Sequence, residues 1–130
     1  MKKYPINKEF YPQSNFYNPI RNARLAGWVG SLFKVPKSLF KDKEIKVTRE
    51  MVKSYDGGEF ELLVFEPYSV KGTSPCLVYI HGGGFIFGAG DYNYSICKKY
   101  CLELGCKAVF VNYRLAPKHP HPTPVEDCYA

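Results

Sequence analysis

The amino-acid sequence predicts an α/β fold in which two parallel strands are joined by a helix. Two apolar runs typical of buried strands, Cys76–Ile80 and residues 107–113, flank a segment that begins at Asp91 and ends before Gly105. Strand, helix and strand at this spacing form a βαβ unit, so the two strands should lie parallel with a right-handed crossover. A hairpin should precede this unit, because the tight-turn signal Asp56-Gly57-Gly58 separates two further strand-like segments.

Each element has its own signal in the sequence. Residues 44–52 alternate in part and predict the first strand, and residues 60–65, ended by Pro67, predict the second. Asp91 is the expected cap of the helix, and Gly105 is its expected carboxy-terminal stop. After a proline-rich loop, residues 125–130 are typical of the first turns of another helix.

Composition places the chain among folded proteins. Of its 130 residues 45% are hydrophobic and 16% aromatic, and no apolar run approaches the length of a membrane span. The segment from Tyr4 to Glu9 is no apolar signal-peptide core, so a cytoplasmic protein is expected. The net charge is +8 over residues 1–53 and −2 over residues 54–130. We interpret the basic part as a solvated surface rather than a nucleic-acid site, and expect no nucleic-acid partner.

The cysteines and histidines give no strong metal signal. The five cysteines include no C-x-x-C pair. Cys97 and Cys101 share one helix face, but a metal there would lack partners at ligand spacing, so reduced buried thiols are favoured. His119 and His121 lie in the proline-rich loop, where a solvent-facing position is favoured over a metal pair.

The stretch most informative about function is His81-Gly82-Gly83-Gly84-Phe85, called the glycine loop below. It follows a buried strand directly, and glycine can adopt backbone conformations that aim N–H groups at a ligand. Two aimed N–H groups make an oxyanion hole, which stabilises the negative oxygen formed when an ester carbonyl is attacked. The alternative is a plain tight turn.

The glycine loop, continued as Ile86-Phe87-Gly88, resembles the oxyanion motif of the hormone-sensitive-lipase-like branch of α/β-hydrolases. The segment Tyr113-Arg114-Leu115-Ala116-Pro117 is similar to that family's segment after the fourth strand. Lys118 and His121 depart from the family, which usually has an acidic and an aromatic residue there. The resemblance implies the amino-terminal part of an α/β-hydrolase fold, with strands 1–4 of a mostly parallel sheet and an amino-terminal helical cap segment.

The same resemblance implies a division of the chain and a set of roles. Residues 1–42 would form an arm and a cap-type helix beginning at Asn18-Pro19, although simple packing of that helix against the core is equally open. Residues 43–130 would form the amino-terminal half of the catalytic domain. Gly83 and Gly84 would supply the N–H donors, Gly82 would shape the turn, and His81 would brace it. Asp127 is expected to cap or pack a helix, and Tyr113 and Arg114 to anchor the loop.

The nucleophile that an oxyanion hole serves has no counterpart in this sequence. None of the serines stands in a G-x-S-x-G pattern. We therefore expect the amino-terminal portion of a carboxylic ester hydrolase, inactive alone, with no cofactor or metal and a small hydrophobic acyl ester as substrate of the complete enzyme. A complementary carboxy-terminal segment or self-association would complete it. The alternative is a non-catalytic truncated remnant or partner-binding fragment.

Overall fold

The computed structural model describes residues 34–130, which form one sheet with helices on both of its faces. A short 3-10 helix at Lys37–Lys41 precedes the first strand. The elements that follow are β1 (Ile45–Lys53), β2 (Glu59–Pro67), β3 (Cys76–Ile80), α1 (Asp91–Leu104), β4 (Lys107–Asn112) and α2 (Thr123–Tyr129). The arm and most of the helix predicted before residue 36 lie outside the described residues. Among those described, no helix is long and apolar enough to cross a bilayer.

The elements predicted within residues 44–130 are all present, and β3 and α1 have the predicted bounds. Gly105 ends α1 in a left-handed conformation, and a backbone N–H there returns to the carbonyl of Cys101, as a C-cap requires. The capping role expected of Asp91 is wrong. Gly90 occupies the N-cap with extended backbone, and Asp91 is the first helical residue. Its carboxylate lies in the first turn, where it faces the positive end of the helix dipole.

The sheet has the strand order β1-β2-β4-β3. The predicted hairpin is confirmed by the antiparallel pairing of β1 with β2, and the predicted parallel pairing of β3 with β4 is also confirmed. Between these pairs, β2 and β4 run antiparallel, so the described part of the sheet is mixed. The α/β class predicted from the βαβ unit is therefore correct.

The strands alternate their side chains between two apolar cores. On one face Leu63, Phe65 and Phe110 pack against α1 through Cys97 and Cys101, and all five are fully buried. On the other face Phe60, Val111 and Tyr113 form a smaller cluster, against which Cys128 of α2 packs. Residues adjacent along a strand thus serve different cores, as the period of two requires.

The strand β3 lies at the edge of the sheet, with no strand on its far side within residues 34–130. Leu77 and Tyr79 pack against the larger core, whereas Val78 and Ile80 point to the other face and are 57% and 52% exposed. The strand carries no charged residue. An apolar edge without charges is a template for pairing with another chain. The opposite edge, β1, carries Lys, Arg and Glu side chains that discourage such pairing.

We expect the isolated chain to self-associate through β3 and Val78→Lys to reduce that association, because a charge on the exposed face opposes stacking and edge pairing. Met51→Lys is the matched control, since Met51 is 58% exposed on the other edge strand. Light scattering after size-exclusion chromatography measures the effect. A chain that is monomeric before any substitution would contradict the prediction.

Candidate functional site

The parallel register of β3 and β4 brings two sequence motifs together. Ile80, the last residue of β3, is paired with Val111 of β4. The glycine loop therefore leaves the sheet beside the residues that follow β4, here called the exit segment (residues 113–116). Carboxyl ends of parallel strands are where ligands bind in open α/β sheets, so this edge is the natural position for a site.

The backbone of the glycine loop is unusual at three successive positions. Gly83, Gly84 and Phe85 have φ values of 130°, 60° and 61°. Gly82 is not among the residues with positive φ. At Gly83 a Cβ would overlap the carbonyl oxygen of Phe87, so a side chain is excluded by space as well as by conformation. The glycines that this turn demands are thus Gly83 and Gly84, rather than Gly82.

The carbonyl groups of the loop are held from inside the protein. The carbonyl of Gly83 accepts hydrogen bonds from Ile86 N–H at 3.2 Å and Phe87 N–H at 3.0 Å. The carbonyl of Phe85 accepts a hydrogen bond from Ala116 N–H at 2.8 Å. The carbonyl of His81 is held as well, by the hydroxyl of Tyr113 in the exit segment.

The N–H groups of Gly83 and Gly84 have the opposite character. Both glycines are exposed, and no described residue accepts a hydrogen bond from either N–H. Fixed carbonyls and free N–H groups on one short loop are the arrangement that an oxyanion hole requires.

The imidazole of His81 is buried against the aromatic residues of β4 and the exit segment. It is 3% exposed and stacks on Tyr113, with ring centroids 4.2 Å apart and planes 7° apart. Because a carbonyl only accepts, the 2.7 Å contact between Nδ1 and the Gly82 oxygen places the proton on Nδ1. Burial lowers the pKa of His81 and outweighs this hydrogen bond, which raises it. A neutral, enclosed ring of this kind fits bracing rather than proton transfer.

A buried ion pair holds the exit segment to α2. Asp127, whose side chain is fully buried, accepts hydrogen bonds from Arg114 Nη2 at 2.7 Å and Nε at 2.9 Å. Its Oδ2 also accepts the backbone N–H of Arg114 at 2.9 Å. Desolvation raises the pKa of Asp127, but the hydrogen bonds and the charge of Arg114 lower it by more. The pKa of Asp127 is therefore below its usual value. Asp127 thus anchors the helix instead of capping it.

The same guanidinium reaches the turn between β1 and β2. Arg114 Nη1 and Nη2 donate to the two oxygens of Asp56 at 3.0 and 2.9 Å. Gly58 lies directly beneath, and a Cβ there would overlap Arg114 Nη1. Sequence reasoning identified Asp56 and Gly58 only as turn residues, since nothing in the turn pattern indicates a partner 58 residues away.

The remaining polar residues singled out in the sequence are separate from the glycine loop. His121 is exposed and His119 half-buried. Cys97, Cys101 and Cys106 are buried free thiols, whereas Cys76 is exposed, contrary to the expected burial. Within residues 34–130 no three side chains of His, Cys, Asp or Glu are grouped to hold a metal ion. A cavity of about 910 Å³ lies elsewhere, between the 3-10 helix and β1, and includes no residue of the glycine loop.

Comparison with known proteins agrees with this architecture. Residues 77–130 match the family model described as the alpha/beta hydrolase fold. A bacterial heroin esterase has a similar structure, with a TM-score of 0.63 and 30% identity over 82% of this chain and 33% of its own. The described residues therefore have the amino-terminal part of an α/β-hydrolase fold.

Two proteins of Mycobacterium tuberculosis are similar in sequence. Carboxylic ester hydrolase LipN is 40% identical over 73 residues, which are 56% of this chain and 19% of LipN. Carboxylesterase NlhH is 33% identical over 98 residues, which are 75% of this chain and 30% of NlhH. The matched part thus spans between about a fifth and a third of these relatives. Residues 77–130 are thus similar to the α/β-hydrolases, and the predicted resemblance to the hormone-sensitive-lipase-like esterases and lipases is confirmed.

We expect Asp127→Asn to lower the free energy of unfolding by about 3 kcal/mol at neutral pH, because it leaves the guanidinium of Arg114 half-buried without its main counter-charge. The folded pKa of Asp127 lies below its usual 3.8. The stabilisation is therefore present above that value and is lost as the pH falls through the folded pKa. The difference between wild type and variant should therefore shrink as the pH falls from 3.8 through the folded pKa.

Urea unfolding at neutral and acidic pH measures this difference. Asp56→Asn serves as the control, because Asp56 binds the same guanidinium from an exposed position and should contribute less. Equal losses for the two variants, or a difference that does not change with pH, would contradict a dominant role for the buried pair.

Proposed function

We propose that this chain supplies the oxyanion hole of a serine-type carboxylic ester hydrolase. One observation carries the proposal: the N–H groups of Gly83 and Gly84 are exposed and have no acceptor among the described residues, while the carbonyls of His81, Gly83 and Phe85 accept hydrogen bonds. The names of the relatives, carboxylic ester hydrolase and carboxylesterase, are consistent with it.

In the proposed reaction a serine hydroxyl attacks the carbonyl carbon of an ester, and the carbonyl oxygen becomes negative. The N–H groups of Gly83 and Gly84 donate hydrogen bonds to that oxygen more strongly than to the neutral carbonyl. Each such donor typically contributes a factor of about 10²–10³ to kcat. The serine, its base and the orienting carboxylate come from residues outside this sequence, which has no G-x-S-x-G.

The substrate class follows from the surroundings of the loop. The exposed ring of Phe85 lies next to Gly84 at the mouth of the proposed hole and is 47% exposed. Apolar surface at this position favours esters with small hydrophobic acyl groups over charged ones. The five cysteines are all free thiols, which is typical of a reducing compartment and supports a cytoplasmic location.

A second candidate function is partner binding without catalysis. The open edge of β3, with Val78 and Ile80 exposed on its uncovered face, favours it. A complementary carboxy-terminal segment or a second copy would fill this edge in either case. Catalysis therefore has to be tested in a protein that contains both the edge's partner and a nucleophile.

We expect the purified chain to release no p-nitrophenol from p-nitrophenyl esters above a boiled control, because it has no nucleophile. We expect activity from a chimera in which the matched 98 residues of NlhH are replaced by those of this chain. Circular dichroism and a thermal melt establish that the chimera is folded. A folded but inactive chimera would favour the partner-binding function, and turnover by the chain alone would contradict the assignment.

In this chimera Gly83→Val should lower kcat by about 100-fold or more, because the side chain displaces an N–H donor. Gly72→Val is the matched control. Gly72 also has a positive φ, 69° against 130° at Gly83, and it lies in the loop between β2 and β3, away from the glycine loop. Both variants strain the backbone, so a loss of kcat in Gly83→Val but not in Gly72→Val would be due to the oxyanion hole.

A further inference from the structure

The glycine loop needs an external anchor, because its own residues permit many conformations. Gly83 and Gly84 occupy positive φ, but glycine populates both signs of φ almost equally well. An oxyanion hole accelerates a reaction only when its donors are already oriented before charge develops. The orientation of the two N–H groups must therefore be imposed from outside the loop.

Tyr113 contacts the loop in two ways. Its hydroxyl donates to the carbonyl oxygen of His81 at 2.7 Å, and its ring stacks on the imidazole of the same residue. We propose that Tyr113 is a positioning residue for the oxyanion hole: its hydroxyl fixes the peptide between His81 and Gly82, and so the direction of the N–H groups that follow. This inference rests on the proposed function.

The hydroxyl is suited to this task because it is enclosed and protonated. Tyr113 is 3% exposed, so water does not compete for its hydrogen bond. Burial raises the pKa of Tyr113 to about 12, and the phenol stays a donor at all physiological pH values. Its ring also meets Phe85 edge-on, with centroids 6.0 Å apart. One side chain thus contacts the residues on both sides of the three glycines.

A second contact from the exit segment completes the support. Ala116 N–H donates to the carbonyl of Phe85 at 2.8 Å, four residues after the carbonyl that Tyr113 holds. The loop is therefore fastened at its first and its last residue, and the free donors lie between the two fastenings. Removing either fastening should release the loop while the sheet beneath it stays intact.

The test compares Tyr113→Phe with Tyr94→Phe in the 130-residue chain. Tyr113→Phe deletes the hydroxyl and keeps the ring. Tyr94 is an equally buried tyrosine, 2% exposed, whose ring packs at a tilt against Phe110 with centroids 4.9 Å apart, and it is the matched control. Hydrogen exchange is followed at the amides of Phe87 and Ala116, whose protection depends on the loop conformation. The amide of Leu63 in β2 reports on the stability of the sheet.

We expect Tyr113→Phe to accelerate exchange at Phe87 and Ala116 about tenfold, as the loss of one buried hydrogen bond implies, with exchange at Leu63 unchanged. Tyr94→Phe should leave the loop amides unchanged. Uniform acceleration at all three amides, or none at the loop, would overturn the proposal, since either result assigns Tyr113 a role in packing alone. If Tyr113→Phe does not fold, the exchange of the Tyr113 hydroxyl proton with solvent is measured in the wild-type chain instead. Free exchange of that proton would exclude the proposed hydrogen bond to His81.

Exchange rates need no ester hydrolysis, so this result is independent of the proposed function. In the NlhH chimera, Tyr113→Phe should additionally lower kcat about tenfold with KM unchanged, because donor orientation affects the transition state more than substrate binding. If Tyr113→Phe accelerates exchange at the loop amides but the chimera has no esterase activity, the anchoring role of Tyr113 is supported and the proposed esterase function is rejected. A released loop with unchanged kcat would reject the positioning role.

Discussion

The parallel register of β3 and β4 is the constraint from which the rest of the site follows. With Ile80 beside Val111, both strands end at the same level, and the residues that follow them are forced into contact. His81 and Tyr113, 32 positions apart in the sequence, stack because each is the first or second residue past the end of its strand. A shift of the β3–β4 register by one residue would turn every side chain of β3 to the opposite face and would separate His81 from Tyr113.

Electrostatics extends this arrangement to the β1–β2 turn, which lies at the same end of the sheet because Glu61 of β2 is paired with Asn112 of β4. Arg114 follows Tyr113 directly and binds Asp127 of α2 and Asp56 of the β1–β2 turn. Buried ion pairs seldom add much stability over an apolar replacement, but they are costly to break and specific in geometry. Here one guanidinium holds a helix and a hairpin turn at fixed positions relative to the exit segment. The rigidity of the exit segment is in turn what allows it to support the glycine loop.

Short sequence patterns predicted most of the helices and strands. The features that these patterns did not predict depend mainly on contacts between residues distant in the sequence. The bounds of β3 and α1 could be found because glycine and proline mark the ends of strands and helices. The cap at Asp91 was misplaced because Gly90 arrives with extended backbone and takes the capping position itself. The candidate donors could be identified from three successive glycines, but not the positive φ of Phe85, whose carbonyl accepts a hydrogen bond from Ala116, 31 residues later. The contact of Arg114 with Gly58 had no sequence signal at all.

An exposed cysteine on the edge strand β3 makes it possible to measure chemically whether that edge is covered. Cys76 is the first residue of β3 and is exposed, while Cys97, Cys101 and Cys106 are enclosed in or beside the larger core. Burial and hydrogen bonding raise the pKa of Cys97, and burial raises that of Cys106, which keeps these two protonated and unreactive. An alkylating reagent therefore reaches Cys76 first. Whatever strand or chain comes to cover β3 would shield that sulfur, so the rate of alkylation measures how much of the edge is occupied.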